Sequence, residues 1–390
     1  MKYNFDEIVD RHGTRCLKWD LFDSKLPMWI ADMDFKTAPA VVEALEKRAA
    51  HGIFGYTFID DDWYEAIINW WKARHHFEIQ KEWLIFCTGV VPAISSIVRK
   101  LTTPAENVLV QTPVYNMFFN SIVNNGRNVL ESPLIYEDGT YHIDFEDLEK
   151  QLSNPQTSLM ILCNPHNPVG KIWDKETLEK IGHLCAKHHV IVVSDEIHCD
   201  IVKPGCEYVP FASVSEECRE NSVTCIAPTK AFNIAGIQTA AVYASNEAIR
   251  HKVWRGLNTD EVAEPNAFAI DAAVAAFNQG GPWLDELCAY LWENRKAAEA
   301  FIKKELPMLH PVSAEATYLM WLDCTSITTK PGVLAKWIRE TTGLFVSAGD
   351  DYRQANGFLR INLACPKAQV MEGMLLLKEA ITKIQENHLC

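Results

Sequence analysis

The chain has 390 residues, 48% of them hydrophobic and 23% charged. That balance is close to the soluble globular average, excludes disordered, collagenous and coiled-coil classes, and gives two domains as the prior. Lys and Arg number 37 against 51 Asp and Glu, a formal charge of −14, which disfavours nucleic acid or an anionic membrane as main partner but leaves room for a local basic pocket.

Residues 1–10 alternate charged and apolar residues and lack the apolar core of a secretion signal. An apolar segment over 26–31 is free, on pattern alone, to pack onto either part of the molecule. Short, nearly uninterrupted apolar runs predict strands over 84–87, 108–111, 159–163, 190–194, 223–226 and 239–244. Helical patterns over 92–101 and 175–188 lie between them. This alternation predicts an α/β domain over 45–275 with a mostly parallel, doubly wound sheet. A long amphipathic helix over 283–305 follows, then strand-like pieces over 318–322 and 359–363 and a last helix over 370–385. Residues 1–44 and 276–390 therefore read as a smaller α+β domain.

No run of 18 apolar residues is present, so no membrane span is expected. The 12 cysteines are scattered without a C-x-x-C, and Cys87, Cys163 and Cys225 lie in apolar runs. They read as buried free thiols in a reducing compartment, which points to the cytoplasm. Cys390 is the last residue, so a prenylation motif with cysteine four from the end is absent.

The dinucleotide G-x-G-x-x-G, the Walker A loop, G-x-S-x-G and H-E-x-x-H are all missing. The pairs His75-His76 and His188-His189 point their side chains apart and read as surface histidines rather than metal ligands. Four segments at predicted strand ends remain. At 88–94, Gly89 and Pro92 suit a helix start whose free N–H groups could hold phosphate, although taken alone the segment reads first as an ordinary strand-to-helix turn. At 163–170, two Asn-Pro pairs and Gly170 force an irregular loop where open α/β sheets place ligands; a purely structural loop is the rival. At 194–200, Asp195 ends a buried strand and needs a partner or a function. One such function is pairing with a protonated ring nitrogen. A metal on Asp195, His198 and Asp200 is disfavoured, because in extended chain Asp195 faces away from the other two. At 227–236, Lys230 stands in an uncharged, mostly apolar stretch. Burial there would lower its pKa and make it a Schiff-base candidate.

In this order the segments resemble the fold-type I pyridoxal-phosphate enzymes of the class I/II aminotransferase superfamily, and most closely the bacterial cystathionine β-lyase (C–S lyase) subgroup. The resemblance is carried by Pro27-Met28-Trp29-Ile30-Ala31-Asp32-Met33-Asp34-Phe35, Phe54-Gly55-Tyr56-Thr57 and Thr112-Pro113-Val114-Tyr115, with the segments 164–170, 194–200, 229–236 and 358–366. It implies pyridoxal 5′-phosphate held as a Schiff base on Lys230. Asp195 would then pair with the ring nitrogen, Tyr115 stack on the ring and Asn167 bond its phenolate oxygen. It implies phosphate binding by Thr229 and the backbone of Gly89, Val90 and Val91. It also implies a homodimer in which Tyr56 reaches the neighbouring subunit's phosphate. Arg360 would clamp the substrate carboxylate, with Asn167 and Ala31 beside it. Catalysis would fall to Lys230, Tyr56 and Asp195.

The implied reaction is α,β-elimination from L-cystathionine or related L-cysteine S-conjugates, giving a thiol, pyruvate and ammonia. Transamination of a small L-amino acid is the alternative. Gln238 stands where many members carry a phosphate-binding arginine, so phosphate binding must lean on other groups, and His198 stands where aminotransferases often carry a tyrosine. The Asp195-Glu196-Ile197-His198 pattern and the segment from Trp29 to Phe35 resemble the C–S lyases, and both favour elimination. His198 is accordingly placed beside the cofactor, and Asp32 and Asp34 are expected to be structural.

Overall fold

The structure, a computed structural model, describes residues 2–387; Cys390, and the reading made there, lie outside them. Seven strands form the main sheet: β1 (Leu84–Cys87), β2 (Asn107–Val110), β3 (Asn128–Glu131), β4 (Thr157–Cys163), β5 (Ile191–Asp195), β6 (Ser222–Ile226) and β7 (Ala240–Tyr243). Their spatial order is β1-β7-β6-β5-β4-β2-β3. All neighbours run parallel except β7, which is antiparallel to both β1 and β6. Sequence pattern placed six of the seven within two residues. It missed β3, whose Asn-Val-Leu-Glu sits at the sheet edge, partly exposed, without a continuous apolar run.

Alternate strand residues enter different cores, as the two-residue period of a strand requires. Val108 and Val110 pack with Ile94, Ile97 and Leu257, beneath the helices Val90–Leu101 and Glu247–Thr259. Leu109 packs on the other face with Leu178 and Ile181 of the helix Lys175–Lys187. Full burial of each such side chain contributes about 1.5–3 kcal/mol relative to exposure. Cys87, Cys163 and Cys225 are buried free thiols in the first of these cores.

A second sheet runs His310–Pro311, Leu319–Asp323, Phe358–Asn362, Ser347–Ala348 in spatial order, antiparallel throughout. The helices Gly281–Glu305, Pro331–Thr342 and Lys367–Asn387 contribute its apolar partners, among them Ile302, Ile338 and Met374. The N-terminal apolar segment joins both parts. Leu26–Pro27 pairs with Leu344–Phe345, and Met28 enters the second sheet's core, whereas Met33 and Phe35 enter the core around Trp71 and Phe232. Among the described residues, no helix is long and apolar enough to cross a membrane.

Strands β1, β4, β5 and β6 end at one edge of the main sheet, so Gly89, Asn164–Gly170, Asp195 and Thr229-Lys230 emerge on that side. Gly170 is where this edge meets the C-terminal part. Its φ is +76°, and a Cβ there would lie 2.6 Å from the Ala314 Cβ. Its carbonyl accepts from the N–H groups of Glu315 and Ala316. A side chain at this position would be strained twice over.

Candidate active site

Lys230 follows β6 and turns its amine towards the N-terminal segment, where Nζ donates to the Ala31 carbonyl at 2.6 Å. The Tyr318 hydroxyl donates to the same oxygen at 3.0 Å. Burial pushes the Lys230 amine down to about 8, and Arg360 adds to the shift; Asp32 and Asp195 oppose it. Among the described residues, no carboxylate forms an ion pair with it within 4.0 Å. An amine with so little to hold its proton is available as a nucleophile and base near neutral pH.

Asp195 closes β5, 5% exposed. One side-chain hydrogen bond reaches its carboxylate, from the Ile197 N–H at 3.1 Å. Burial pushes it up to about 7, against the Ile197 bond and the Lys230 charge. A buried carboxylate this poorly satisfied suits a cationic partner supplied from outside the chain. His198, buried nearby, leaves Nδ1 without a partner and meets Tyr318 edge-on at 6.2 Å. Burial, Lys230 and Arg360 together push it down to about 3, so the ring is neutral.

The chain turns directly after Asp195 instead of continuing extended, so the facing argument made from a strand period does not apply there. Asp195 and His198 both sense Lys230, whereas Asp200 lies in a separate cluster. Its carboxylate bonds His75 Nε2 and Trp70 Nε1, both at 3.0 Å, with Arg74 at 3.8 Å. The surface reading of His75 is therefore corrected: its side chain is 6% exposed, held by a buried acid that no local pattern announces. Exposed His76 and His189 fit the expectation, and His188 is half-buried beside Glu149.

Arg360, on the strand Phe358–Asn362, crosses to the 164–170 loop and donates from Nη1 to Asn167 Oδ1 at 3.2 Å. Its Nη2 donates to the Trp29 carbonyl at 2.8 Å, and its Nε has no partner. No carboxylate lies within 4.0 Å of it among the described residues, so a 5% exposed guanidinium stands without an anion. Bidentate recognition of a carboxylate is what such a fork offers. Tyr115 is pushed up to about 12 by burial, and it senses both Arg360 and Asp195. Its ring contacts Phe118 edge-on at 5.8 Å.

Gly89 precedes the helix Val90–Leu101, and no side chain caps it. The first N–H groups, including those of Val90 and Val91, are left for another acceptor. A Cβ on Gly89 would lie 3.2 Å from the Pro92 ring. Thr229 is buried beside Lys230, and Gln238 is exposed in the left-handed conformation. Tyr56 is fully exposed; within one chain the structure does not bring it to the other residues.

A clasp missed in the sequence holds the 29–35 segment over Lys230. Asn233 accepts from the Met33 N–H and donates to the Met33 and Phe35 carbonyls, each at 2.9 Å. Asn362 donates to the Ile30 and Asp32 carbonyls at 2.7 and 2.6 Å. Asp34 is paired with Lys18 and Arg11, both at 2.6 Å, and Asp32 with Arg11 at 2.8 Å. The acids are structural. Asn233 and Asn362 lay inside quoted segments, but nothing local marks an amide as a backbone clasp.

The buried, underpartnered Asp195, the lone amine of Lys230 and the open helix start at Gly89 fit a pyridoxal phosphate: a ring nitrogen, an aldehyde and a phosphate, respectively. The match to known proteins agrees. Residues 24–375 match the family of aminotransferase class I and II, and the chain belongs to that family. It is 43% identical over 386 residues to cystathionine beta-lyase PatB of Bacillus subtilis (strain 168), covering 97% of this chain and 100% of the relative. It is 32% identical over 392 residues to protein MalY of Escherichia coli (strain K12), covering 98% and 100%. Among solved structures it superposes on cystalysin from Treponema denticola, which contains pyridoxal 5′-phosphate, with a TM-score of 0.95 and 32% identity over 98% of this chain and 100% of that one. The PLP-bound C-S lyase from Staphylococcus hominis gives 0.92 and 33% over 97% and 99%.

Proposed function

We propose that this chain is a pyridoxal-phosphate-dependent carbon–sulfur β-lyase, cleaving L-cystathionine or related L-cysteine S-conjugates with water to a thiol, pyruvate and ammonia. One observation carries the reading: Lys230, Asp195 and Arg360 are buried and without ionic partners, and Lys230 senses both of the others. When bound, the cofactor supplies an aldehyde that condenses with amines and a ring that accepts an electron pair. Lys230 carries it. Asp195 would hold a proton at the ring nitrogen, Tyr115 would stack on the ring and Asn167 would bond its phenolate oxygen. Thr229 and the backbone N–H groups at Gly89, Val90 and Val91 hold the phosphate; Gln238 offers no cation for it. His198 lies alongside as a neutral imidazole.

Arg360 orients the substrate through its α-carboxylate, with Asn167 and the Ala31 carbonyl framing the same space. The freed Lys230 amine then takes the Cα proton as general base. The thiolate leaves from Cβ and is protonated by Lys230 or Tyr56.

The reading includes a homodimer that brings Tyr56 to the partner's site. Its support is an exposed apolar run: Ile53, Phe54, Tyr56 and Phe58 are each more than half exposed. A division into a large domain over 45–275 and a small one from 1–44 and 276–390 rests on the two sheets. A cytoplasmic location rests on the free cysteines. The test is release of pyruvate and free thiol from L-cystathionine by protein loaded with pyridoxal phosphate, with no 2-oxo acid present. Equal release of both is expected. Amino transfer that requires a 2-oxo acid, without thiol release, would overturn elimination in favour of transamination.

A further inference from the structure

A thioether substrate held by Arg360 needs space for its distal end, and a groove opens beside that arginine. Ser347 lies opposite Arg360 in the strand register. Ser347 Oγ and Arg360 Nη2 both donate to the Trp29 carbonyl at 2.8 Å. Trp29 and Ser347 also line a groove of about 860 Å³, within the range of small-molecule sites. The groove thus begins at the residue that anchors the arginine.

Its wall is aromatic. The Trp29 ring stacks on Phe345 at 5.0 Å and 19°, and Phe22 meets both rings edge-on at 5.6 Å. The Arg339 guanidinium lies over Phe345 at 4.4 Å and over Phe22 at 5.2 Å. It is held by donating to the Asp23 carbonyl, from Nε at 3.2 Å and Nη2 at 2.9 Å. No carboxylate lies within 4.0 Å of it among the described residues. The groove's other charges are Lys336, 3.8 Å from Glu340, Asp351, which senses Arg360, and Asp23, whose backbone carbonyl holds Arg339. In a chain of net charge −14, an unpaired guanidinium fixed on two ring faces is placed for an anion. Phe345 and Ser347, two residues apart, both line the groove, Phe345 under Arg339 and Ser347 on the Trp29 carbonyl that anchors Arg360.

We infer that this groove is the distal-substrate subsite and that Arg339 determines specificity, selecting L-cysteine thioethers whose distal end carries a carboxylate. This rests on the lyase reading: Arg360 takes the α-carboxylate, the thioether lies along Trp29 and Phe345, and Arg339 takes the distal carboxylate. The experiment compares kcat/KM of the holoenzyme for S-carboxyethyl-, S-aminoethyl- and S-ethyl-L-cysteine. Wild type is expected to favour the carboxyethyl over the aminoethyl conjugate by roughly ten- to hundredfold. Arg339→Glu reverses that order, and Arg339→Lys retains it. S-ethyl-L-cysteine reports a folded, loaded enzyme; if Arg339→Glu fails on it, Arg339→Gln carries the comparison and should abolish the preference. Turnover with an unmoved ratio in these variants overturns the inference alone. Wild type that releases thiol from none of the three overturns the lyase reading and the inference with it.

Discussion

Asp195 and Asp200 lie five residues apart on one stretch of chain, both buried, and their surroundings drive them in opposite directions. Around Asp200, His75, Trp70 and Arg74 outweigh the cost of burial and hold the carboxyl below its usual range. Around Asp195, burial wins and the carboxyl is pushed up to about 7, because the partners are a single N–H and a distant amine. Asp200 is thus ion-paired through Oδ1, though its Oδ2 has no hydrogen-bond partner, whereas Asp195 has no ion pair. A chain that leaves Asp195, Lys230 and Arg360 without ionic partners in one pocket, while pairing Asp200, Asp34 and Asp32 elsewhere, has kept the first set for a ligand.

Substitutions that separate the two regions should separate activity from stability. The largest effect belongs to Lys230→Ala, expected to lower kcat by about a thousandfold or more and to abolish the cofactor's Schiff-base absorbance; spectra and pyruvate release check both. In the apoprotein the free Lys230 amine loses its proton near pH 8, so the rate of Schiff-base formation with added pyridoxal phosphate should rise with pH up to about 8.

Asp195→Asn should lower kcat by about a hundredfold while stabilising the apoprotein at high pH. The folded state binds the Asp195 proton more tightly than the unfolded chain does, because the folded pKa of about 7 lies above the ordinary 3.8. Its contribution is complete below 3.8, erodes as pH rises towards 7, and leaves a cost on the order of 2–4 kcal/mol above that. Melting the apoproteins at pH 5 and pH 8 should show the two curves diverging at the higher pH. A variant no more stable than wild type at pH 8 would break the contrast between the two acids.

Asp200→Ala should do the reverse: lose about 3 kcal/mol of stability by stranding the buried His75 and Trp70 donors, with kcat per folded molecule within about twofold. Its depressed pKa gives the opposite pH sign. Stability supplied by Asp200 is present above pH 3.8 and is lost as pH falls through the folded value. Urea titrations with active-site counting would decide it. The smallest effect is expected at His198. With the ring neutral down to about 3, His198→Asn should leave the kcat–pH profile between pH 5 and 8 unmoved. A lost inflection in that range would show that the imidazole titrates during turnover.

Much of this was legible along the chain because its signals are local. Both-face burial makes a strand an apolar run, so six of seven main-sheet strands stood out, and a lysine amid Ala, Pro, Thr and Phe is conspicuous without any partner in view. Strand β3 was hidden because an edge strand keeps polar residues. Asn233 and Asn362 were hidden because an amide that clasps backbone looks like any other amide until the backbone is there. His75 was misread because the acid that buries it comes from 125 residues away.

Residues a few positions apart are enough to define the α/β class and the order of the motif segments, so both are legible along the chain. Tertiary structure decided which of the motif residues meet. It set the Ala31 carbonyl on Lys230 across 199 residues and Arg360 on Asn167 across 193. It left Tyr56 outside the pocket of its own chain and gave two nearby aspartates opposite protonation behaviour. Burial and the choice of partner set the state of a charged group, and both are properties of packed space rather than of chain order.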